Sequence, residues 1–218
     1  MSEYIDYKTS YVSEFLSMKC SGDVLNIVNP VARVEKEITE SMAIIKKLRP
    51  IALSAPMKYA LIDLCAGNAL TSVLAIHLLP FNSAIAVDKR RRNRKWDNVR
   101  RFNYKQADIH TAPYYEYAPN DTESVIIASH ACGDLARKII EIYNDYPLCK
   151  HLVMLPCCTG KIETQLPPIL SKKLGKYLLW CHELWLSTKG HASIASDNKC
   201  LSPCNIVITA HKERGGVL

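Results

Sequence analysis

Short apolar runs alternate with helical segments over most of the chain. Five such runs predict strands, at residues 59–64, 83–87, 124–129, 151–155 and 205–210, and we expect a further short strand at 104–107. Between them lie four segments with helical periodicity, at about 67–79, 89–101, 133–145 and 162–179. Strands that are apolar throughout and separated by helices are typical of a parallel sheet that helices cover on both faces. The pattern therefore predicts an α/β fold with a doubly wound, mostly parallel sheet.

Residues 1–50 have helical periodicity and no strand pattern. Four apolar side chains recur at helical spacing with charged residues between them: Ile38, Met42, Ile45 and Leu48. Pro50 and Pro56 are then expected to interrupt the chain. We therefore predict an N-terminal helical extension over residues 1–56 and the sheet domain over residues 57–218. Residues 181–204 follow neither pattern clearly, and we expect a strand, a hairpin and a loop there.

Composition is ordinary for a globular domain of 218 residues, with 48% hydrophobic and 22% charged residues. No apolar run approaches the ~20 residues that a membrane-spanning helix needs. The first residues have neither the basic leader nor the apolar core of a signal peptide. We therefore expect a cytoplasmic protein without a membrane partner. The nucleus is the alternative compartment.

Nine cysteines are many for this length, and an odd number argues against a complete disulfide framework. We expect thiols in a reducing compartment. Four thiolate or imidazole ligands would suit zinc. Three cysteines could converge at the strand ends: Cys132, Cys157 and Cys158. Further candidate ligands lie downstream: Cys181, His182, Cys200 and Cys204. No pair has Cys-x-x-Cys spacing, so we expect no bound metal and interpret the cysteines as buried or pocket-lining thiols.

Candidate ligand-binding residues follow the first predicted strand. In open parallel sheets, ligands bind beyond the carboxyl ends of the strands. The first strand ends at Asp63 and Leu64, and a turn of small residues follows it: Cys65, Ala66, Gly67, Asn68 and Ala69. Small side chains allow a tight turn and let the backbone approach a ligand closely.

Acidic residues follow the next two strands. Asp88 ends the second strand about 20 positions after Gly67, where a carboxylate can accept hydrogen bonds from both ribose hydroxyls of a nucleoside. Asp108 follows the third strand and can accept from an adenine amine, while Ile109 covers the ring. Only one glycine of the Gly-x-Gly-x-x-Gly fingerprint is present, which argues against a nicotinamide dinucleotide.

These segments resemble class I, Rossmann-like methyltransferases that use S-adenosylmethionine. The segment DLCAGNA, starting at Asp63, looks like their motif I, Asp88 like their ribose-binding acid, and Asp108 like their adenine-contacting residue. The resemblance implies that S-adenosylmethionine is bound by Asp63, Cys65, Ala66, Gly67, Asn68, Asp88, Lys89, Asp108, Ile109, Ser129 and His130. Cys65 and Ala69 stand where glycine is common in that family. This departure keeps open a non-catalytic binding or scaffold module.

Two further motifs follow the fourth and fifth strands. His130 is a candidate general base, because its ordinary pKa lies near working pH, and a structural histidine is the alternative. Cys132 is expected to line the pocket, and Asp134 either orients His130 or caps the next helix. Together with Pro156, Cys157 and Cys158, which are candidate substrate contacts, these residues resemble a class I branch that includes tRNA 2′-hydroxyl methyltransferases.

A basic segment at residues 89–105 suggests a nucleic-acid partner. Arg90, Arg91 and Arg92 are the candidate phosphate contacts. The interleaved aromatics Trp96 and Tyr104 either stack on unpaired bases or pack inward against the sheet. With the family resemblance, we expect methylation of RNA, either tRNA or rRNA, at an oxygen or nitrogen acceptor. A small molecule or a protein is the alternative substrate.

Overall fold

A seven-stranded sheet runs through the computed structural model, which describes residues 10–119, 121–159 and 168–213. The strands are β1 (Ala60–Leu64), β2 (Ser83–Asp88), β3 (Phe102–Gln106), β4 (Ser124–Ser129), β5 (Cys149–Leu155), β6 (His191–Ser196) and β7 (Ile206–His211). Their order is β3-β2-β1-β4-β5-β7-β6. Strands β1 to β5 are parallel, and β7 is antiparallel to both of its neighbours. The predicted mostly parallel sheet is confirmed.

Helices cover both faces of this sheet. They are α1 (Tyr11–Leu16), α2 (Ser21–Val28), α3 (Val34–Ser54), α4 (Leu70–Leu78), α5 (Asp134–Asp145), α6 (Pro168–Leu174) and α7 (Lys176–Leu186). Buried residues of α1 to α4 form one apolar cluster with alternate strand residues such as Leu61. Buried residues of α5 and α7 form a second cluster with the intervening residues, such as Ile62. The doubly wound arrangement is therefore confirmed.

Helix α3 is the principal element of the N-terminal region. The four apolar residues that predicted it are at most 3% exposed and belong to the first cluster. The expectation that Pro50 interrupts the chain is wrong, because α3 continues through Pro50 to Ser54. Proline removes one backbone donor but has a φ close to the helical value. Buried residues on both sides of it, Leu48 and Ala52, hold the helix against the sheet.

The helix predicted at residues 89–101 is absent. Residues 91–95 have no regular structure, and only a short 3-10 turn, Trp96–Asn98, precedes β3. The loop binds the N-terminal region instead: the Lys95 amide donates to Ile27 O at 3.1 Å, and Arg94 donates to Pro30 O at 2.9 Å. Helix α2 packs against α4 and this 3-10 turn. Its buried residues belong to the first apolar cluster, on the face that a helix between β2 and β3 was expected to help cover.

The C-terminal part contains a helix pair and a hairpin. A single helix was predicted at 162–179, of which residues 162–167 lie outside the described part. The rest forms two helices, α6 and α7, which meet at Gly175. Helix α7 extends beyond the predicted end, to Leu186. Residues 181–204 hold the end of α7 and strand β6, which pairs with β7. None of the helices in the described residues is long and apolar enough to cross a membrane.

Candidate functional site

The turn between β1 and α4 is sharply bent. Cys65, Gly67 and Ala69 all have left-handed backbone conformations, with φ of 62°, 54° and 62°. For a residue other than glycine this conformation costs roughly 1–2 kcal/mol. Cys65 and Ala69 therefore adopt a backbone conformation that favours glycine. A Cβ added to Gly67 would meet no atom within 4 Å, so the space in front of that residue is open.

Asp88 ties this turn to the end of β2. Its two carboxylate oxygens accept hydrogen bonds from the backbone amides of Gly67 and Arg90, each at 2.9 Å. A carboxylate offers about four lone-pair positions, so both oxygens can accept a further hydrogen bond. The side chain can therefore receive the two hydroxyls of a ribose while it continues to hold the turn.

A cavity of about 450 Å³ opens beside Asp88 at the carboxyl ends of the strands. It is lined by Cys65, Val87, Asp88, Lys89, Arg90, Ala107, Asp108, Ile109, His110 and Leu135. Its volume lies in the range of about 300–1,000 Å³ that is usual for small-molecule sites. Apolar walls with carboxylates at two strand ends suit the base and ribose of a nucleoside. The residues present therefore fit the adenosyl group of S-adenosylmethionine.

Asp108 already has partners on the cavity wall. Lys89 pairs with one carboxylate oxygen at 2.9 Å, and the amide of His110 donates to the other at 3.0 Å. The hydrogen bond from Lys89, followed by that from His110, holds the pKa of Asp108 below its ordinary value. Lys89 is 76% exposed, so this predicted cofactor residue lies at the cavity rim and orients Asp108.

Two of the residues predicted to bind the cofactor lie behind the turn rather than on the cavity wall. Asp63 is 1% exposed and accepts a hydrogen bond from Ser72 Oγ at 2.7 Å. Burial raises the pKa of Asp63 to about 7. Asn68 accepts a hydrogen bond from Arg94 at 3.0 Å and also bonds to Glu37 of α3. Both side chains therefore support the turn, and the cavity is formed by Cys65, Asp88 and Asp108 instead.

His130 follows β4, the strand next to β1, and its imidazole contacts an acid from α3. Its Nε2 makes a very short contact with the carboxylate of Glu40, which is fully buried. Lys36 binds the same carboxylate at 2.8 Å. Burial alone would raise the pKa of Glu40, but hydrogen bonds from His130 and Lys36 outweigh it and lower this pKa. The side chain of His130 is still 32% exposed.

The partner of His130 is Glu40 and not Asp134. Asp134 is exposed in the first turn of α5, and Gly133 occupies the N-cap position. Neither role expected for Asp134 is found among its described contacts. Its charge is nevertheless favourable there, because the N-terminus of a helix attracts an acid.

The expectation that all cysteines are free thiols is wrong for one pair. Cys132 and Cys157 form a disulfide that joins the turn after β4 to the turn after β5. Neither sulfur can therefore act as a thiol in this state. Cys158 is a free, exposed thiol beside them, and the three sulfur atoms lie within 4.8 Å of one another. Pro156, a predicted substrate contact, is buried, and its carbonyl accepts a hydrogen bond from Tyr177 at 3.0 Å.

The aromatic residues of the basic segment pack inward. Trp96 is 6% exposed and stacks on Tyr104 with 3.6 Å between ring centroids. Its indole donates to Asn68 O at 3.2 Å, and the hydroxyl of Tyr104 lies 3.0 Å from Gly67 O. Of the two interpretations, inward packing is the one that the structure shows for this pair. Through these two hydrogen bonds the pair holds the backbone of the turn after β1.

The arginines of the same segment differ in exposure: Arg90 and Arg91 are exposed, while Arg92 and Arg94 are half-buried. Arg90 lines the cavity, while Arg91, Arg92 and Arg94 line a neighbouring hollow of about 480 Å³. Arg91 is exposed and has no described hydrogen bond or ion pair, whereas Arg94 is tied to Pro30 and Asn68. The segment thus contains both free and anchored cations.

Sequence reasoning missed the polar residues that α3 supplies. Lys36, Glu37 and Glu40 contact or face the turns after β1 and β4. Lys36 and Glu37 were interpreted only as charges on an amphipathic helix, and Glu40 was not singled out. One signal was available. Between Ile38 and Ile45, Glu40 is the only charged residue, and a helix that is apolar on most sides is buried. A charge there needs a buried partner.

Comparisons with known proteins identify the family and similar folds. A family described as "Methyltransferase domain" matches residues 33–165, which include α3, the cavity and His130. No curated protein matches the chain. Among solved structures, the CurJ carbon methyltransferase is 14% identical, with a TM-score of 0.50, and the match covers 92% of this chain and 63% of that chain.

Two other similar structures have TM-scores below 0.5. The methyltransferase domain of a bacterial CtHen1 is 12% identical, with a TM-score of 0.49 and 77% and 97% of the two chains covered. The tRNA methyltransferase TrmK of B. subtilis is 11% identical, with a TM-score of 0.46 and 80% and 66% covered. Such low identities concern the fold and do not identify an acceptor. The family match and the cofactor cavity together lead to one conclusion: the chain belongs to the methyltransferase domain family and is an S-adenosylmethionine-dependent methyltransferase.

Proposed function

We propose that this methyltransferase acts on RNA, either tRNA or rRNA, at an oxygen or nitrogen acceptor. The observation that carries the proposal is a continuous run of cations leading out of the cofactor cavity. Lys89 and Arg90 line that cavity, and Arg91, Arg92 and Arg94 line the next hollow. Cations in this position can neutralise the phosphates of a chain whose acceptor enters the cavity. The net charge of +7 has the same sign.

The motifs after β4 and β5 support the same substrate. The sequences HACGD, at His130, and PCC, at Pro156, resemble the branch that includes tRNA 2′-hydroxyl methyltransferases. Both motifs lie at the same edge of the sheet as the cavity, because β4 and β5 are parallel to β1. An acceptor bound at this edge would lie between His130 and the cofactor.

The chemistry requires positioning more than activation. When bound, S-adenosylmethionine would supply a sulfonium methyl group for the acceptor's lone pair, and S-adenosylhomocysteine would be the leaving group. Asp88 would hold the ribose and Asp108 the adenine, and Ile109 and Leu135 would provide apolar walls. His130 removes the proton from the oxygen or nitrogen that receives the methyl group. The main contribution of the protein is to hold the two reactants in line.

The test of the RNA proposal is the salt dependence of binding to pooled cellular RNA. The logarithm of the RNA association constant is plotted against the logarithm of the salt concentration. Replacing Arg90, Arg91 and Arg92 with glutamine should make this plot less steep by about 2, since each phosphate contact with single-stranded RNA contributes roughly 0.7 to its slope. The matched control removes three cations from α6 and α7: Lys172, Lys173 and Lys176, all exposed. An unchanged slope in the arginine variant would rule out this loop as the RNA contact.

A second measurement identifies the substrate class. Wild-type protein is incubated with methyl-labelled S-adenosylmethionine and a cell extract that is then separated into RNA, protein and small molecules. We expect the label in RNA and its loss with His130→Ala. Label found only in protein or only in small molecules would contradict the proposal.

A further inference from the structure

An ion cluster built by α3 surrounds the imidazole of His130. Glu40 is fully buried, and one of its carboxylate oxygens contacts His130 Nε2. Lys36 Nζ lies 2.8 Å from the other oxygen, 3.1 Å from the oxygen that faces His130, and 3.3 Å from Nε2. Glu37, one position beyond Lys36, also faces His130 and bonds to Asn68 in the turn after β1.

The donors and acceptors of this cluster determine where the proton of a neutral His130 lies. An ammonium group has only donors, and an ionised carboxylate has only acceptors. Glu40 is therefore the acceptor for both neighbours, and Nε2 must carry a hydrogen. The unprotonated nitrogen is then Nδ1, which has no hydrogen-bond partner among the described residues. Nδ1 is therefore available as a base.

The backbone of His130 is fixed as well. Its φ is 65°, a conformation that is uncommon for residues other than glycine. Its amide donates to Leu155 O at 3.1 Å, and its carbonyl lies 3.3 Å and 3.4 Å from the sulfurs of Cys132 and Cys157. With the backbone held by β5 and the disulfide, the contact with Glu40 decides the orientation and tautomer of the ring.

We propose that Glu40 is the positioning residue for His130: it holds Nε2–H so that Nδ1 can take the acceptor's proton. As the acceptor forms its bond to the methyl carbon, its O–H or N–H bond breaks and the proton moves to Nδ1. The imidazolium that results is stabilised by the Glu40 carboxylate and later releases the proton to water. The catalytic part of this inference rests on the role proposed above for His130; the positioning part does not.

Glu40→Gln tests the arrangement because it removes the negative charge and keeps the shape of the side chain. Lys36 Nζ lies within hydrogen-bond distance of both Glu40 oxygens, so the amide can present either its oxygen or its NH₂ group to Nε2. The preference for a proton on Nε2 should therefore weaken. The share of rings protonated on Nδ1, the wrong tautomer for a base at that atom, should rise.

The first readout is ¹⁵N NMR of the histidine side chains in the full chain, assigned with His130→Ala. In the wild type we expect the neutral ring to be protonated on Nε2, and in Glu40→Gln we expect a larger share of the neutral ring to be protonated on Nδ1. The control, Glu141→Gln, makes the same chemical change on the exposed surface of α5 and should leave the tautomer unchanged. A wild-type ring protonated on Nδ1 would overturn the inference without any variant having to fold.

The second readout is methylation of pooled RNA. Glu40→Gln should lower kcat by about 10²- to 10⁴-fold, the contribution typical of a positioned base, with little change in KM or in cofactor affinity. The double variant with His130→Ala should lose no more than His130→Ala alone. Unchanged kcat in Glu40→Gln would overturn the catalytic part. If even the wild type methylates no RNA, the substrate proposal fails, while the tautomer result still decides the role of Glu40.

Discussion

The carboxylate of Asp88, at the end of β2, accepts a hydrogen bond from the backbone amide of Gly67 at 2.9 Å. One side chain thus shapes the turn after β1 and presents its remaining lone pairs to the cavity. The hydroxyl of Tyr104 donates to Gly67 O in the same turn. Asp63, at the end of β1, accepts a hydrogen bond from Ser72 of α4, so it joins the two elements that the turn connects. Cofactor affinity should therefore depend on residues that do not touch the ligand.

Tyr104 provides the first test of this dependence. Its hydroxyl lies 3.0 Å from Gly67 O and 3.1 Å from Arg90 O, and Tyr104→Phe removes that contact while the ring can still stack on Trp96. Because a hydrogen bond contributes about 0.5–1.5 kcal/mol, we expect S-adenosylmethionine to bind roughly 2- to 10-fold more weakly. Isothermal calorimetry measures the change. Tyr115→Phe, on a side chain that is 63% exposed, is the control, and equal affinities in both variants would contradict the prediction.

Asp63 should make the stability of the fold depend on pH. Burial raises its pKa from the ordinary 3.8 to about 7 in the folded protein, so folding favours the protonated form. The stabilisation is complete below pH 3.8 and is lost as the pH rises through about 7. Asp63→Asn cannot titrate and should lack this component.

Urea unfolding of both proteins between pH 4 and 8 measures the difference. We expect the free energy of unfolding of the wild type to fall relative to that of Asp63→Asn as the pH rises. Asp145→Asn, an exposed acid at the end of α5, should follow the wild type. Parallel curves for the wild type and Asp63→Asn would show that Asp63 titrates normally.

The disulfide between Cys132 and Cys157 should stabilise the fold measurably. It closes a loop with a sequence separation of 25, and restricting an unfolded loop of that length is worth about 3 kcal/mol. Dithiothreitol should therefore lower the free energy of unfolding of the wild type by about this amount, as measured by urea titration. The double variant Cys132→Ser, Cys157→Ser should not respond to the reductant. A wild type that is equally insensitive would argue that the two residues are thiols in solution.

Five strands of the sheet could be predicted from the sequence because they are short, apolar and locally recognisable: β1, β2, β4, β5 and β7. Strand β3 contains polar residues and was placed one to two residues late, and β6, whose residues are mostly exposed, was expected only somewhere within residues 181–204. Asp88 and Asp108 could also be predicted: in a parallel sheet, residues that directly follow the strands meet at one edge, so their positions in sequence imply their proximity. Helices α4 and α5 were also predicted close to their observed limits.

Three features depend on contacts that no local pattern records. The helix expected at 89–101 is absent, because the segment binds α2 at Ile27 and the loop after α2 at Pro30. Glu40 and His130 are 90 positions apart in the sequence, and only the packing of α3 on the sheet brings them together. The partner of Cys132 could not be chosen among nine cysteines without the fold.

Asp88→Ala should nearly abolish cofactor binding. It removes two acceptors for the ribose, and hydrogen bonds to a charged group contribute about 1.5–3 kcal/mol each, so the loss should be at least about 100-fold in affinity. It also frees the amides of Gly67 and Arg90, which adds to the loss. Asp145→Asn serves as the control because its side chain is exposed and remote from the cavity.

Calorimetry with S-adenosylmethionine and S-adenosylhomocysteine tests the central claim most directly, namely that the turns after β1, β2 and β3 enclose one adenosyl site. The wild type should bind both ligands with a Kd on the order of micromolar, and Asp88→Ala should bind neither in the same range. Wild-type protein that binds neither ligand at millimolar concentration, or an Asp88→Ala variant with unchanged affinity, would contradict it.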